Sequence, residues 1–93
     1  MILKELTALV SVETSDVAET IFSCKPAQDI RLKSMFCPRV SIYSTWCRDI
    51  SYLGLPVDSL VAEFEFLVQG DHEEEKIREY LDGFGVDVLE VWS

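Results

Sequence analysis

The chain has 93 residues, of which 48% are hydrophobic and 27% are charged, and its formal net charge at pH 7 is −9. This length fits one domain with one core, and the hydrophobic content excludes a disordered acidic tail. No apolar run reaches the roughly 18 residues that a membrane span requires. The opening stretch ILKELTALVSV is too short for a secretory signal and carries Glu5 too early. We therefore predict a single domain over residues 1–93, located in the cytoplasm.

The charge is unevenly distributed along the chain. Residues 1–48 hold five acidic and six basic residues, a net +1, whereas residues 49–93 hold twelve acidic residues and two basic ones, a net −10. A field of this sign repels nucleic acid and anionic membranes and attracts basic protein surfaces. Acidic composition also serves solubility, so the charge alone does not separate the two interpretations.

The sequence contains three cysteines, Cys24, Cys37 and Cys47. They are too few and too widely spaced to indicate a disulfide framework or a metal site. Their number is odd and no CxxC pair occurs, so neither a disulfide scaffold nor a zinc knuckle is indicated. We expect reduced thiols, and the sequence leaves open whether any of them is functional.

The first half of the chain predicts a strand, a helix and a second strand region. Residues 6–13 alternate apolar and polar side chains, which is typical of a strand. Residues 14–16, Thr-Ser-Asp, offer an N-cap for a helix that ends before Pro26. Residues 40–46 form a stronger strand pattern than residues 29–36, and Pro38 between them predicts either a hairpin turn or an irregular first piece.

Residues 60–69, LVAEFEFLVQ, fit both a strand and a helix. As a strand, the segment would turn Ala62, Phe64, Phe66 and Val68 inward and its glutamates outward; as a helix, it would carry one apolar stripe ending at Gly70. Its aromatic and β-branched content favours the strand.

Residues 71–84 predict a helix with one apolar stripe, stopped at Gly83 or Gly85, and the sequence VDVLEVW predicts a terminal strand. The resulting order, β-α-β-β-α-β, indicates an α+β fold of the ferredoxin-like type, with two helices on one face of an antiparallel sheet.

The stretch GDHEEEK at residues 70–76 contains the only histidine of the chain, His72. Asp71 and Glu74 have the spacing of a capping box, and acidic residues are favoured in the first turn of a helix. His72 and Glu75 would supply only two metal ligands on one helix face. We therefore interpret the stretch as a helix start, and we predict no metal site and no cofactor. No catalytic motif occurs, so we expect a protein that is not an enzyme.

Several pieces from residue 8 onward resemble a family of small bacterial domains of unknown function. They are ALVSVET, SDVAETIF leading to KPAQ, Ser44-Thr45-Trp46, and EEEKIREYLDGFGVDVLEV. The resemblance is one of element pattern without an invariant motif. It implies a helix at residues 60–69, and it implies no site residues because the family has no assigned chemistry.

We expect a small acidic binding protein that inhibits or neutralises a basic, nucleic-acid-handling protein, as toxin-immunity proteins or phage-encoded inhibitors of the anti-CRISPR type do. Its carboxylates would take the place of phosphates, and exposed aromatic side chains would anchor the interface. The predicted contact residues are Glu63, Glu65, Glu73, Glu74, Glu75 and Asp82, with Tyr52 or Trp92 as the anchor. The alternative is a ferredoxin-like regulatory module that dimerises and binds a small ligand at the sheet edge.

Overall fold

The computed structural model describes residues 3–24, 35–45, 51–56, 59–70 and 73–93. The elements in chain order are strand β1 (Leu3–Val12), helix α1 (Ser15–Cys24), strand β2 (Met35–Ser44), a 3-10 turn (Ser51–Leu53), strand β3 (Leu60–Gln69), helix α2 (Glu73–Asp82) and strand β4 (Asp87–Trp92). No helix in the described ranges is both long enough and apolar enough to cross a membrane.

The strands form one antiparallel sheet in the order β2-β3-β1-β4. β1 and β3 are the two central strands and pair along their full length, from Leu3 opposite Gln69 to Val12 opposite Leu60. Since each neighbouring pair is antiparallel, β1 runs parallel to β2 and β3 runs parallel to β4. Each of these parallel pairs is connected through a helix, so the predicted α+β class is confirmed.

Both helices pack on the same face of the sheet, which we call the helix face. Their buried residues belong to one cluster with every second residue of β1 and β3. The buried members of this cluster are Ala8, Val10, Val12, Ala18, Ile21, Met35, Cys37, Ala62, Phe64, Phe66, Val68, Ile77 and Leu81. Burial of these apolar side chains is the main favourable contribution to folding.

Tyr80 of α2 connects the two helices. Its ring makes edge-to-face contacts with Phe66 and Phe84, at centroid distances of 6.3 Å and 5.2 Å. Its hydroxyl donates a hydrogen bond to the carbonyl oxygen of Ile21, at 3.0 Å. That carbonyl lies in the last turn of α1, where backbone oxygens have no partner within the helix. Tyr80 therefore satisfies the end of one helix from the surface of the other.

The helix boundaries follow from their caps. The hydroxyl oxygen of Thr14 accepts a hydrogen bond from the N–H of Val17, at 3.4 Å, which confirms the predicted start of α1. After α2, the N–H of Gly85 donates to the carbonyl of Asp82, and Gly85 has a φ of 75°. This left-handed conformation is the one that glycine adopts without steric cost.

Pro38 lies inside β2, so of the two predicted alternatives at this residue the hairpin turn is wrong. The register shifts between Phe36 and Arg39, which leaves Cys37 and Pro38 in a bulge of this edge strand. An edge strand tolerates proline because the missing N–H is not needed for pairing. Cys37 is buried, and its thiol donates to the carbonyl of Arg39 at 3.5 Å. Residues 29–34 of the other predicted strand, and the predictions on Cys47 and the side chain of Cys24, lie outside the described residues.

Residues 60–69 form a strand, as their composition predicts. Ala62, Phe64, Phe66 and Val68 are buried on the helix face. The helix that the family resemblance implies for this segment is therefore wrong. Val61 is also fully buried, although it points away from the helices.

Removing the hydroxyl of Tyr80 tests the contact between the helices. We expect Tyr80→Phe to lower the free energy of unfolding by about 1 kcal/mol, because the Ile21 carbonyl loses a partly buried donor. For a domain of this size the melting temperature should fall by about 4–8 °C, measurable by circular dichroism. Tyr52→Phe is the matched control, since that hydroxyl is exposed, and a loss as large as that of Tyr80→Phe would contradict the interpretation.

Candidate functional site on the open face of the sheet

The sheet face opposite the helices, which we call the open face, carries the alternate set of side chains. Its residues include Glu5, Thr7, Leu9 and Ser11 of β1, Arg39, Ser41 and Tyr43 of β2, Val61, Glu63, Glu65 and Leu67 of β3, and Leu89, Glu90 and Trp92 of β4. Successive side chains of a strand point to opposite faces, so the alternation that fills the core also makes this surface polar.

One end of the open face is covered by the connection between β2 and β3. Leu53 and Leu55 of this connection pack against Leu9 and Val61, the two buried apolar residues of this face. Tyr52, which lies in the same connection, donates a hydrogen bond from its hydroxyl to Glu90 Oε2, at 3.0 Å. The connection is thus held at the centre of the sheet by apolar contacts and at β4 by a hydrogen bond.

Carboxylates run across the rest of the open face, and three of them have a defined partner. Besides the bond from Tyr52 to Glu90, Tyr43 donates to Glu63 Oε1 at 2.7 Å, and Arg39 Nε lies 3.1 Å from Glu65 Oε2. The side chains of Arg39 and Glu65 are 72% and 47% exposed, so this ion pair contributes little to stability. Arg39 is the only cation on the open face within the described residues.

A shallow cavity of about 300 Å³ lies beside the Arg39–Glu65 pair. Glu5, Thr7, Pro38 and Leu67 complete its outer wall. It combines two carboxylates with a small apolar surface, which suits the head and stem of a lysine or arginine side chain.

The structure divides the predicted contact residues into two groups. Glu63, Glu65 and Trp92 lie on the open face, and Tyr52 lies in the connection packed against it. Among the described residues, the two exposed large aromatics, Tyr52 at 68% and Trp92 at 36%, are in this group. Glu73, Glu74, Glu75 and Asp82 belong to α2, on the other side of the sheet. The two groups therefore do not form one continuous site.

Two residues that the sequence analysis did not select also belong to the open face. Glu90 bonds Tyr52, and Arg39 neutralises Glu65. The alternation within the predicted terminal strand could have indicated Glu90. Nothing in the sequence indicates the pairing of Arg39, because it depends on the bulge at Cys37 and Pro38.

The start of α2 carries the acidic stretch discussed above, although Asp71 and His72 lie outside the described residues. Glu74 pairs with Arg78, one helical turn further along, at 3.1 Å. Glu73 pairs with Lys4 of β1 at 3.5 Å rather than with Lys76, whose Nζ donates to the Gln69 carbonyl at 3.2 Å. In the ranges the structure covers, no three His, Cys, Asp or Glu side chains converge as metal ligands would.

The pKa of Glu73 lies below its usual value of 4.5. The first cause is a hydrogen bond from its own backbone N–H, and the charges of Lys4 and Lys76 lower the pKa further, while partial desolvation opposes them. These interactions favour the ionised carboxylate where β1, β3 and α2 meet.

Comparisons with known proteins identify no relative. The chain matches no family model, no curated protein and no solved structure. The resemblance to small bacterial domains of unknown function therefore stays a prediction.

We expect the fold to lose the contribution of Glu73 in acid. Because the folded-state pKa is lower than the unfolded one, the stabilisation is complete above about pH 4.5 and is lost as pH falls through the folded pKa. The stability difference between the wild type and Glu73→Gln should shrink over this range in urea titrations. Carboxyl NMR of Glu73 should give a midpoint below 4.5, and Lys4→Met should raise it.

Glu79→Gln controls for the change in net charge, since it removes an exposed carboxylate from the same helix without touching Lys4. A Glu73 midpoint at or above 4.5 would show that the lysines and the backbone N–H do not act on this carboxylate.

Proposed function

We propose that this protein is a non-enzymatic binding protein whose open face docks on a basic surface of another protein. The observation that carries the proposal is that the exposed aromatic side chains Tyr52 and Trp92 lie on the same face as a row of carboxylates. Aromatic side chains anchor interfaces, and charges around them steer the partner and fix its orientation.

The chemistry of the open face is suited to lysine and arginine side chains. Glu5, Glu63, Glu65 and Glu90 accept charged hydrogen bonds, and Trp92 offers a ring face to a cation. Arg39 would exchange its partner Glu65 for a cation of the incoming protein, at small cost because the present pair is exposed.

The carboxylates of α2 would act at a distance. They lie behind the sheet, so we assign them to the overall negative field that attracts a basic protein before contact. Glu73 and Glu74 are occupied by Lys4 and Arg78, which makes them structural as well.

The partner class that fits best is a nucleic-acid-handling protein. Such proteins present basic clefts for phosphates, and a row of carboxylates on a rigid sheet can take the place of a phosphate backbone. Toxin-immunity proteins and phage-encoded inhibitors, including those of the anti-CRISPR type, work by this chemistry. The protein would act in the cytoplasm of the producing cell or of a cell it enters.

We further propose that the fold is the ferredoxin-like β-α-β-β-α-β arrangement. Support comes from the order β2-β3-β1-β4, in which two strand-helix-strand units interleave and each contributes one central strand. The short 3-10 turn between β2 and β3 lies outside this repeat and covers part of the open face.

A second candidate function is a regulatory module that dimerises and binds a small ligand. It is favoured by a cavity of about 710 Å³ at one end of the sheet. Val17, Leu60 and Phe84 provide its apolar wall, and Glu13 and Asp87 its charged rim. A melting temperature that rises with added amino acids or nucleotides, together with a dimer in sedimentation, would favour this function over the first.

Charge reversal on the open face tests the docking proposal. The partner is captured from source lysate at low salt, identified and purified, and its association is followed by surface plasmon resonance. We expect Glu65→Lys with Glu90→Lys to slow association by about tenfold or more, since electrostatic steering contributes about 10- to 1000-fold to on-rates. Association of the wild type should also slow steeply with added salt.

The matched control is Glu79→Lys with Asp82→Lys, two exposed residues of α2 with the same change in net charge. This double variant should lower the on-rate less, because Glu79 and Asp82 would contribute only to the overall negative field of the protein and would not contact the partner. Equal losses in both variants would reject the open face as the docking surface, and salt-independent association would reject the electrostatic mechanism.

A further inference from the structure

The two edges of the sheet differ in how they are protected. β2 has a bulge, a proline without an N–H, and the exposed cation Arg39, all of which hinder pairing with another strand. β4 shares only the bulge, a register shift between its pairs with Leu9 and with Val10 in which Leu89 has no opposite residue in β1. It reads DVLEVW, without proline or a basic residue, and among the described strands it pairs only with β1.

The free edge of β4 is continuous with the open face. Thr7 lies opposite Trp92 and Leu9 opposite Glu90, so these two β4 side chains point to the open face. Val88 and Val91 point to the helix face, where they pack against the core. Leu89 packs on the open face against Leu9 and Val61. A strand added beside β4 would therefore meet Leu89, Glu90 and Trp92 on one side and valines on the other.

We propose that β4 pairs with an extended basic segment of the partner, which adds a fifth strand to the sheet. This inference rests on the proposed function and specifies its contact. The partner segment would alternate lysine or arginine with apolar residues. Its cations would lie beside Glu90 and Trp92, its apolar side chains would extend the packing at Val88 and Val91, and its backbone would bond the outer N–H and C=O groups of β4.

Charge complementarity selects this occupant over a second copy of the chain. Each copy carries a net charge of −9, and pairing two β4 strands would bring Asp87 and Glu90 of both copies into one narrow ribbon. Like charges placed on neighbouring strands destabilise a sheet. In a basic strand added beside β4, lysine or arginine side chains would lie next to Asp87 and Glu90 and form attractive pairs with them.

The test uses the whole ¹⁵N-labelled protein and a capped heptapeptide of alternating lysine and valine. We expect binding at low salt, with amide exchange slowed about tenfold or more at those β4 residues whose N–H groups face away from β1. A second peptide, N-methylated at two neighbouring lysine–valine pairs, keeps the charge and loses two donors toward β4 whichever set of N–H groups faces it. It should bind about tenfold more weakly, as expected for the loss of two backbone hydrogen bonds.

The outcomes separate this inference from the proposed function. Equal affinity of the two peptides, or protection that appears at β2 or α2 instead of β4, would overturn strand addition while leaving an electrostatic docking face. β4 amides already protected in a dimer without peptide would overturn it in favour of self-association. If neither peptide binds even at low salt, the proposed function itself fails.

Discussion

The pairing of β1 with β3 is the interaction on which the rest of the structure depends. Ten residues of one strand face ten of the other in a single register. A slip by one residue would turn Phe64 and Phe66 toward solvent and Glu63 and Glu65 into the core. Because burying unpaired carboxylates is costly, the chemistry of β3 excludes every register shifted by an odd number of residues.

The same register builds the candidate site. The glutamates that must leave the core are placed on the open face, and the bulge of β2 brings Arg39 opposite one of them. Function on this face would therefore require no separate scaffold. The acidic residues of α2 have a different explanation. Glu73 and Glu74 lie in the first turn of the helix, where acidic side chains are favoured, and they form ion pairs with Lys4 and Arg78.

Local patterns in the sequence were sufficient to predict most of the elements. Alternation predicted β1, and the aromatic and β-branched content of residues 60–69 favoured the strand β3 over a helix. The cap at Thr14 predicted α1, and the apolar stripe of Ile77, Tyr80 and Leu81 predicted α2. The sequence left open whether Pro38 forms a hairpin turn or follows an irregular segment, because a proline in an edge strand and a proline in a hairpin look alike without knowledge of the neighbouring strands. The grouping of Tyr52 with Glu90, 38 residues apart, depends on the path of a connection that carries no periodic signal.

The short connection at residues 51–56 has a consequence for how such chains can diverge. Leu9 and Val61 are buried on this face because Leu53 and Leu55 of the connection, together with Tyr43 and Leu89 of the strands, pack against them. Related chains with a shorter connection would expose more of Leu9 and Val61 and should carry polar residues there, whereas chains that keep the connection should keep Leu9, Val61, Leu53 and Leu55 aliphatic. Loop length and the identity of two residues in distant strands should therefore vary together, so that one can be inferred from the other.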